Sequence, residues 1–270
     1  MPKITVIIPC YNEGARLPSQ DYRRFLYTHS TDILFVNDGS TDQTANLLEE
    51  LRREFSIQVT ILSLPKNVGK AEAVRRGILS IENYEKKDII GFMDADLSTP
   101  LEEINYFLEE FKNPNIRFVF GSRISRIGAK IIRFHHRHYF GRLVATLVSL
   151  YLRIPIYDSQ CGAKFFHMGF ARKLFMSPFI SRWLFDVEIF RRIALLDIKV
   201  SECALELPLH AWIEKGGSKI SIKDYLQLPF EFYRIIYYYI GKKKESRLPL
   251  VPPRTIIALE PQTRTLYETT

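Results

Sequence analysis

The chain has 270 residues, 46% hydrophobic and 25% charged, an ordinary composition for one large globular domain and not for a disordered or fibrous chain. Its three cysteines, Cys10, Cys161 and Cys203, are isolated and odd in number, with no CxxC spacing, which argues against a disulfide framework and a zinc site and fits a reducing compartment. The net charge of +8 suits nucleic acid, a membrane surface or a phosphorylated substrate, and its distribution must separate these.

In chain order, Lys3 to Pro9, Asp32 to Val36, Val59 to Leu64 and Ile89 to Met93 are continuous apolar runs of strand length. Helical patterns alternate with them over Asp42 to Phe55, Gly69 to Tyr84 and Pro100 to Lys112. Strands alternating with helices predict a Rossmann-like α/β fold, a mostly parallel sheet flanked by helices. The strand ends carry the polar residues: Pro9, Tyr11, Asn12 and Glu13 after the first, Asn37 to Asp42 after the second, Asp94-Ala95-Asp96 after the fourth. A parallel sheet gathers these ends on one rim, where ligands bind.

The fourth of these ends is the most informative. Residues i and i+2 of an extended segment project to one side, so Asp94 and Asp96 converge and suit a hard divalent cation. Thr99-Pro100-Leu101-Glu102 reads as a capping box that starts a helix directly behind them. A plain polar turn is the competing reading. Before it, Gly69 and Lys70 stand at a helix start that suits a phosphate, or else forms a solvated basic face. No GxGxxG follows the first strand, which speaks against a dinucleotide site.

From Phe111 to Tyr157 there are nine Lys and Arg residues and no acid. Segment 130–155 combines these charges with Leu143, Leu147, Leu150, Tyr151 and Ile154 at helical spacing, the pattern of a membrane-surface helix or of a core helix with a charged lead-in. Arg133, His135, His136, Arg137 and His138 precede that stripe without a carboxylate or cysteine nearby, which points to interfacial or solvated histidines rather than metal ligands. The basic residues sit on no nucleic-acid module, so nucleic acid is not an expected partner. Further polar punctuation comes at Asp158 to Lys164, at Asp186 and Glu188, and at Gly216 to Lys219. Tyr225 to Ile240 reads as a last amphipathic helix, and 241–270 as a polar, proline-containing tail. No apolar run reaches the ~20 residues of a membrane span, and no signal-peptide pattern opens the chain, so the expectation is a cytoplasmic protein.

Taken together, Pro9-x-Tyr11-Asn12-Glu13, Asn37-Asp38-Gly39-Ser40-x-Asp42, Asn67-x-Gly69-Lys70, Asp94-Ala95-Asp96 and Gly121-Ser122-Arg123 resemble the donor-nucleotide half of family 2 glycosyltransferases of the GT-A fold. Asp158-Ser-Gln160-Cys161-Gly-Ala-Lys164-Phe, Trp183-x-Phe185-Asp186-Val-Glu188, and Trp212 before Gly217-Ser218-Lys219 are similar to dolichyl-phosphate β-glucosyltransferases and their polyprenyl-phosphate relatives. The resemblance covers about residues 3 to 240, one GT-A domain with a donor half to about residue 123 and an acceptor half from 124. It implies an inverting transfer of a hexose, first of all glucose from UDP-glucose, to a polyprenyl or dolichyl phosphate. The same family admits GDP-mannose or UDP-galactose as donor and a saccharide as acceptor.

Through the resemblance, Asp38 and the Pro9 to Glu13 loop would hold the nucleoside, with Gly69, Lys70 and Ala95 also in the donor site. Asp94 and Asp96 would hold the ribose and Mg²⁺ or Mn²⁺, while Arg123 and Lys219 would neutralise phosphate. Asp186 takes the acceptor-side carboxylate position, and Gln160, Lys164 and Ser218 would meet the sugar or the acceptor phosphate. Asp96 and Asp186 are the residues expected to carry catalysis. One departure is that the eukaryotic enzymes usually have an N-terminal membrane anchor and no such segment stands here, so the expectation is peripheral attachment at the cytoplasmic face. Two rivals are a haloacid-dehalogenase-like phosphohydrolase with Asp94 as nucleophile, for which Ser98 stands where Thr or Val is usual, and a catalytically silent nucleotide-sugar or membrane module.

Overall fold

The computed structural model describes residues 3–85, 88–132, 145–215 and 222–240. The four apolar runs form β1 (Ile4–Cys10), β2 (Asp32–Asn37), β3 (Val59–Ser63) and β4 (Ile89–Phe92), and all pair in parallel. They continue into β5 (Phe118–Ser122), β7 (Lys164–His167) and β8 (Ala204–Pro208), giving the order β3-β2-β1-β4-β7-β5-β8. A separate two-stranded sheet pairs β6 (Lys130–Ile132) with β9 (Ala211–Ile213).

One strand runs against the rest. β7 is antiparallel to β4 and to β5, with Lys164 opposite Phe92 and Phe120. Where its neighbours end, β7 begins, so its first residue lands on the rim that carries their carboxyl ends. That reversal brings Lys164 beside Asp94 although the two stand far apart in the sequence.

Side-chain alternation along the strands separates two apolar layers. Val6, Ile8 and Phe35 face the layer covered by α1 (Ser19–Thr28), α2 (Thr44–Glu54) and α4 (Glu103–Glu110). Ile7, Leu34 and Val36 face the other, covered by α3 (Lys70–Ser80), α6 (Met168–Phe175) and α7 (Phe185–Leu195). Residues 145–152 are helical (α5), a short α8 (Val200–Cys203) precedes β8, and α9 (Ile222–Ile240) packs Ile235 and Tyr239 against Val148, Leu184 and Val187.

Three local expectations are corrected. The capping box at Thr99 to Glu102 does not form: residues 101–102 make a turn, α4 starts at Glu103, and no side chain caps it. The entry is instead closed by i to i+3 bonds, with the Glu103 and Ile104 N–H groups donating to Pro100 and Leu101 carbonyls. Glu103, the next acid along, is buried and takes the N–H groups of His210 (3.0 Å) and Ala211 (2.9 Å), a tertiary demand that outweighs the local signature. The apolar stripe of segment 130–155 is divided: Leu147 and Leu150 are exposed, Tyr151 and Ile154 pack against the core beside the buried Ala145 and Val148, and Leu143 lies outside the described residues. The segment also opens as strand β6 instead of helix. Arg133, the histidine cluster, Arg137 and Arg142 lie outside the described residues, as do Ser218 and Lys219. Finally, α1 has no counterpart in the periodicity reading, though it buries Tyr22, Phe25 and Leu26 on one face, at about 1.5–3 kcal/mol per large side chain.

Candidate active site

The rim is assembled by backbone N–H groups that donate to side chains on neighbouring loops. After β1, Asn12 adopts a left-handed backbone (φ 48°). Its N–H donates to Ser40 Oγ (3.1 Å), and Thr41 N–H donates back to Asn12 Oδ1 (2.9 Å). The Glu13 N–H donates to Thr44 Oγ1 (2.7 Å) and the Gly14 N–H to Asp42 Oδ2 (2.9 Å). The clusters after β1 and β2 are therefore one laced surface, with the Tyr11 ring half exposed on it. Pro9 lies in β1 opposite Val36, and the buried Glu13 carboxylate accepts from Arg16 at 2.8 Å.

Asp38 is buried beneath the next loop. Its Oδ1 accepts from Val68 N–H (2.8 Å), and its Oδ2 accepts from Gly69 N–H (2.8 Å) and Asn67 Nδ2 (3.0 Å). Burial raises its pKa even though these donors and the nearby Arg182 favour the charge. Gly69 has φ +91°, and a Cβ there would lie 2.8 Å from Arg182 Nε. The following residue, Lys70, is thus delivered to the rim from a fixed backbone.

At the end of β4, Asp94 and Asp96 are half-buried, and the Ala95 carbonyl between them accepts from the buried Tyr22 hydroxyl (3.1 Å). Lys70 Nζ donates to Asp94 Oδ1. Burial alone would raise the Asp94 pKa, yet the Lys70 ammonium, with help from Arg123 and Lys164, holds it below the ordinary carboxylate value. Asp96 goes the other way, raised by burial and by the charge of Asp94, while its Oδ1 accepts from Ser98 N–H (2.9 Å). On the far side of Asp94, a Cβ on Gly162 would stand 1.9 Å from Oδ2, so the glycine admits the carboxylate.

The acceptor-half residues arrive through β5, β7 and α7. Lys164, wholly buried at the start of β7, donates to the Cys161 carbonyl (2.6 Å) and stands 2.8 Å from Asp186 Oδ1. That carboxylate oxygen is off the hydrogen-bonding direction, a close ion pair without hydrogen-bond geometry. Asp186 lies inside the first turn of α7, whose N-cap is Leu184 without a side-chain bond, so the carboxylate is not a helix cap. Gln160 is half-buried in the turn before Cys161. The Arg123 fork, which the resemblance directs at phosphate, is held by Asp158 through Nε (2.6 Å) and Nη2 (2.7 Å), with the Trp212 indole against it. Burial and the Asp158 charge push the Cys161 thiol up to about 11, which leaves it a poor nucleophile at neutral pH.

Asp94, Asp96, Lys70, Arg123, Lys164 and Asp186 thus meet at one rim, drawn from both halves of the chain. Three participants have no role in the sequence reading: Gly162, Arg182 and Asp158. Gly162 and Asp158 lie inside the polar stretch singled out there, but only the reversal of β7 reveals what they face.

Residues 5–175 match the model of glycosyl transferase family 2. The chain belongs to that family. Among curated relatives of this family 2 glycosyltransferase, a dolichyl-phosphate β-glucosyltransferase of Trichomonas vaginalis is 30% identical over 250 residues, covering 87% of this chain and 73% of the relative. The Drosophila melanogaster enzyme of that name is 31% identical, with 88% and 76% covered, and the human one 30%, with 81% and 69%. Among solved structures, glucosyl-3-phosphoglycerate synthase of Mycobacterium tuberculosis with Mn²⁺, UDP and phosphoglyceric acid superposes with a TM-score of 0.65 at 17% identity, covering 89% of this chain and 79% of that one. The same synthase with Mn²⁺ and UDP-glucose also gives 0.65, and mannosyl-3-phosphoglycerate synthase of Rubrobacter xylanophilus gives 0.57. These structures share the GT-A fold with the family 2 chain described here.

Whether a divalent cation suits the rim follows from its donors. Asp94 and Asp96 are two hard-oxygen ligands whose mutual repulsion raises the Asp96 pKa, a repulsion that a cation relieves. No third His, Cys, Asp or Glu joins them among the described residues. The set fits a cation held by two carboxylates and completed by substrate phosphate and water, as Mg²⁺ is commonly held.

Proposed function

We propose that the protein is an inverting glucosyltransferase that moves glucose from UDP-glucose to dolichyl or polyprenyl phosphate at the cytoplasmic face of a membrane. The observation that carries the reading is the meeting of the Asp94–Asp96 pair and Lys70 with the buried Lys164–Asp186 pair on one rim. The names of the relatives supply the sugar and the lipid phosphate, and the Mn²⁺, UDP and UDP-glucose bound in the structural neighbours support the donor.

Bond breaking at the anomeric carbon leaves negative charge on the departing UDP, and fixed positive charge there lowers the barrier. Asp94 and Asp96 would hold Mg²⁺ or Mn²⁺, which when bound supplies Lewis-acid neutralisation of the diphosphate. Lys70 adds a cation at the same place. The nucleophile, a lipid monophosphate with a second pKa of about 6, is already ionised at neutral pH and has no proton to lose. Asp186, paired with Lys164 and buried, therefore orients the acceptor or the sugar and stabilises positive charge at the anomeric carbon, and does not act as a base.

No helix among the described residues is long and apolar enough to cross a membrane. Membrane contact is proposed as peripheral, supported by the exposed Leu147 and Leu150 beside the acid-free basic segment. Incubation with radiolabelled UDP-glucose, UDP-galactose and GDP-mannose on anionic vesicles carrying dolichyl phosphate tests the assignment. Label from UDP-glucose should enter the lipid fraction, with vesicle binding weakened by salt. Transfer from another donor only, or into water, would replace it.

A further inference from the structure

Lys70 blocks the open side of the carboxylate that the cation needs. Its ammonium sits on Asp94 Oδ1, while the Gly162 backbone lies against Oδ2. Lys70 thus holds Oδ1, and a cation that takes this oxygen displaces Lys70. The backbone that carries Lys70 does not drift: Val68 and Gly69 N–H groups are fixed on Asp38, and Arg182 Nη2 donates to Asn67 Oδ1 (3.1 Å). The fixed backbone leaves the flexible four-carbon side chain as the part of Lys70 able to exchange partners.

Charge gives that swing a direction. With Lys70 in place, Asp94 and Asp96 face one ammonium and keep one uncompensated negative charge. A divalent cation entering alone would turn that into a positive excess with Lys70 expelled beside it. A cation entering with the diphosphate diester of a nucleotide sugar, which carries two negative charges, restores the original balance, because Lys70 exchanges a carboxylate for a phosphate oxygen.

We propose that Lys70 is an exchangeable latch that makes metal binding depend on the donor: it occupies Asp94 in the empty site and passes to the diphosphate when metal and nucleotide arrive together. The latch rests on the reading that Asp94 and Asp96 hold a divalent cation with a nucleotide diphosphate. It makes Lys70 a positioning residue that suppresses unproductive metal binding and adds a cation only when a leaving group is present.

The test is titration of Mn²⁺ alone, read from the paramagnetic resonance signal of free Mn²⁺, into wild type, Lys70→Met and Lys70→Arg, then repeated with UDP. Lys70→Met should bind Mn²⁺ alone up to about fivefold more tightly, the factor that displacing an ion pair of this exposure costs. The enhancement of Mn²⁺ binding by UDP should shrink by a similar factor in Lys70→Met, and Lys70→Arg, which keeps a cation, should behave as wild type. Far-UV circular dichroism and thermal melts establish that all three are folded. Unchanged, weaker or absent Mn²⁺ binding by folded Lys70→Met overturns the latch. Failure of UDP to bind wild type in Mn²⁺ would instead overturn the donor assignment, and the Mn²⁺-only comparison would still decide the role of Lys70.

Discussion

Two Lys–Asp pairs stand on the same rim and differ in their access to water. Lys70 and Asp94 keep 33% and 40% of their side-chain surface accessible, whereas Lys164 and Asp186 keep 0% and 9%. An accessible pair gains little from its partner and exchanges it at low cost. A desolvated pair holds together because either charge left alone in the interior is expensive. On the proposed function, the Lys70–Asp94 side can therefore rearrange around an incoming diphosphate and cation, while the Lys164–Asp186 side presents Asp186 to the acceptor in one fixed position.

That contrast is broken most sharply by Lys164→Met, which strands the Asp186 carboxylate. Denaturant unfolding should show a loss of about 3–5 kcal/mol, with much of it recovered when Asp186→Leu is added. A loss below about 1 kcal/mol would mean that the pair is wetter than the structure shows. Asp186→Asn keeps the volume and removes the charge. It should slow transfer by ~10²-fold through misplacement of the reacting groups, while the pH–rate profile keeps the acidic limb set by the acceptor phosphate at about 6. On that limb the rate rises with pH as the phosphate loses its second proton. Disappearance of the limb in the mutant would make Asp186 the base.

Smaller effects are expected on the donor side. Gly162→Ala puts a methyl into Asp94 Oδ2, and calorimetric melts should show a cost of about 1–3 kcal/mol together with weaker Mn²⁺-dependent UDP binding. Wild-type stability with intact UDP binding would mean that the carboxylate relocates freely. Lys70→Met should change stability by less than about 1 kcal/mol, since its pair is a third or more exposed. A larger loss would place the two pairs in one class and erase the comparison.

What was legible in the sequence follows the same division. β1 to β4 were readable because strands buried on both faces are continuous apolar runs, and the carboxylates at Asp94 and Asp96 announce themselves by spacing alone. The family motifs named Lys164 and Asp186, but nothing local says that they touch, because their meeting depends on β7 entering the sheet backwards between β4 and β5. Gly162 carries no local signal for the same reason: a glycine needed for a close approach is visible only once the approaching group, Asp94, is in place. α1 gives a weak sequence signal although Tyr22, Phe25 and Leu26 carry helical spacing, since its apolar stripe is short and set among Asp21, Arg23 and Arg24. The capping box failed in the opposite direction, a complete local signature overruled when Glu103 was drawn to the backbone of His210 and Ala211.

The account turns on Asp94 and Asp96 taking a cation together with a nucleotide diphosphate. Calorimetry of UDP binding in Mn²⁺ and again in EDTA, on wild type and on Asp96→Asn, tests that most directly. The wild type should lose at least about tenfold in affinity when the metal is withdrawn, and Asp96→Asn should bind UDP weakly under both conditions, because it has lost a ligand and a charge. Equal wild-type affinity in Mn²⁺ and in EDTA would contradict the account.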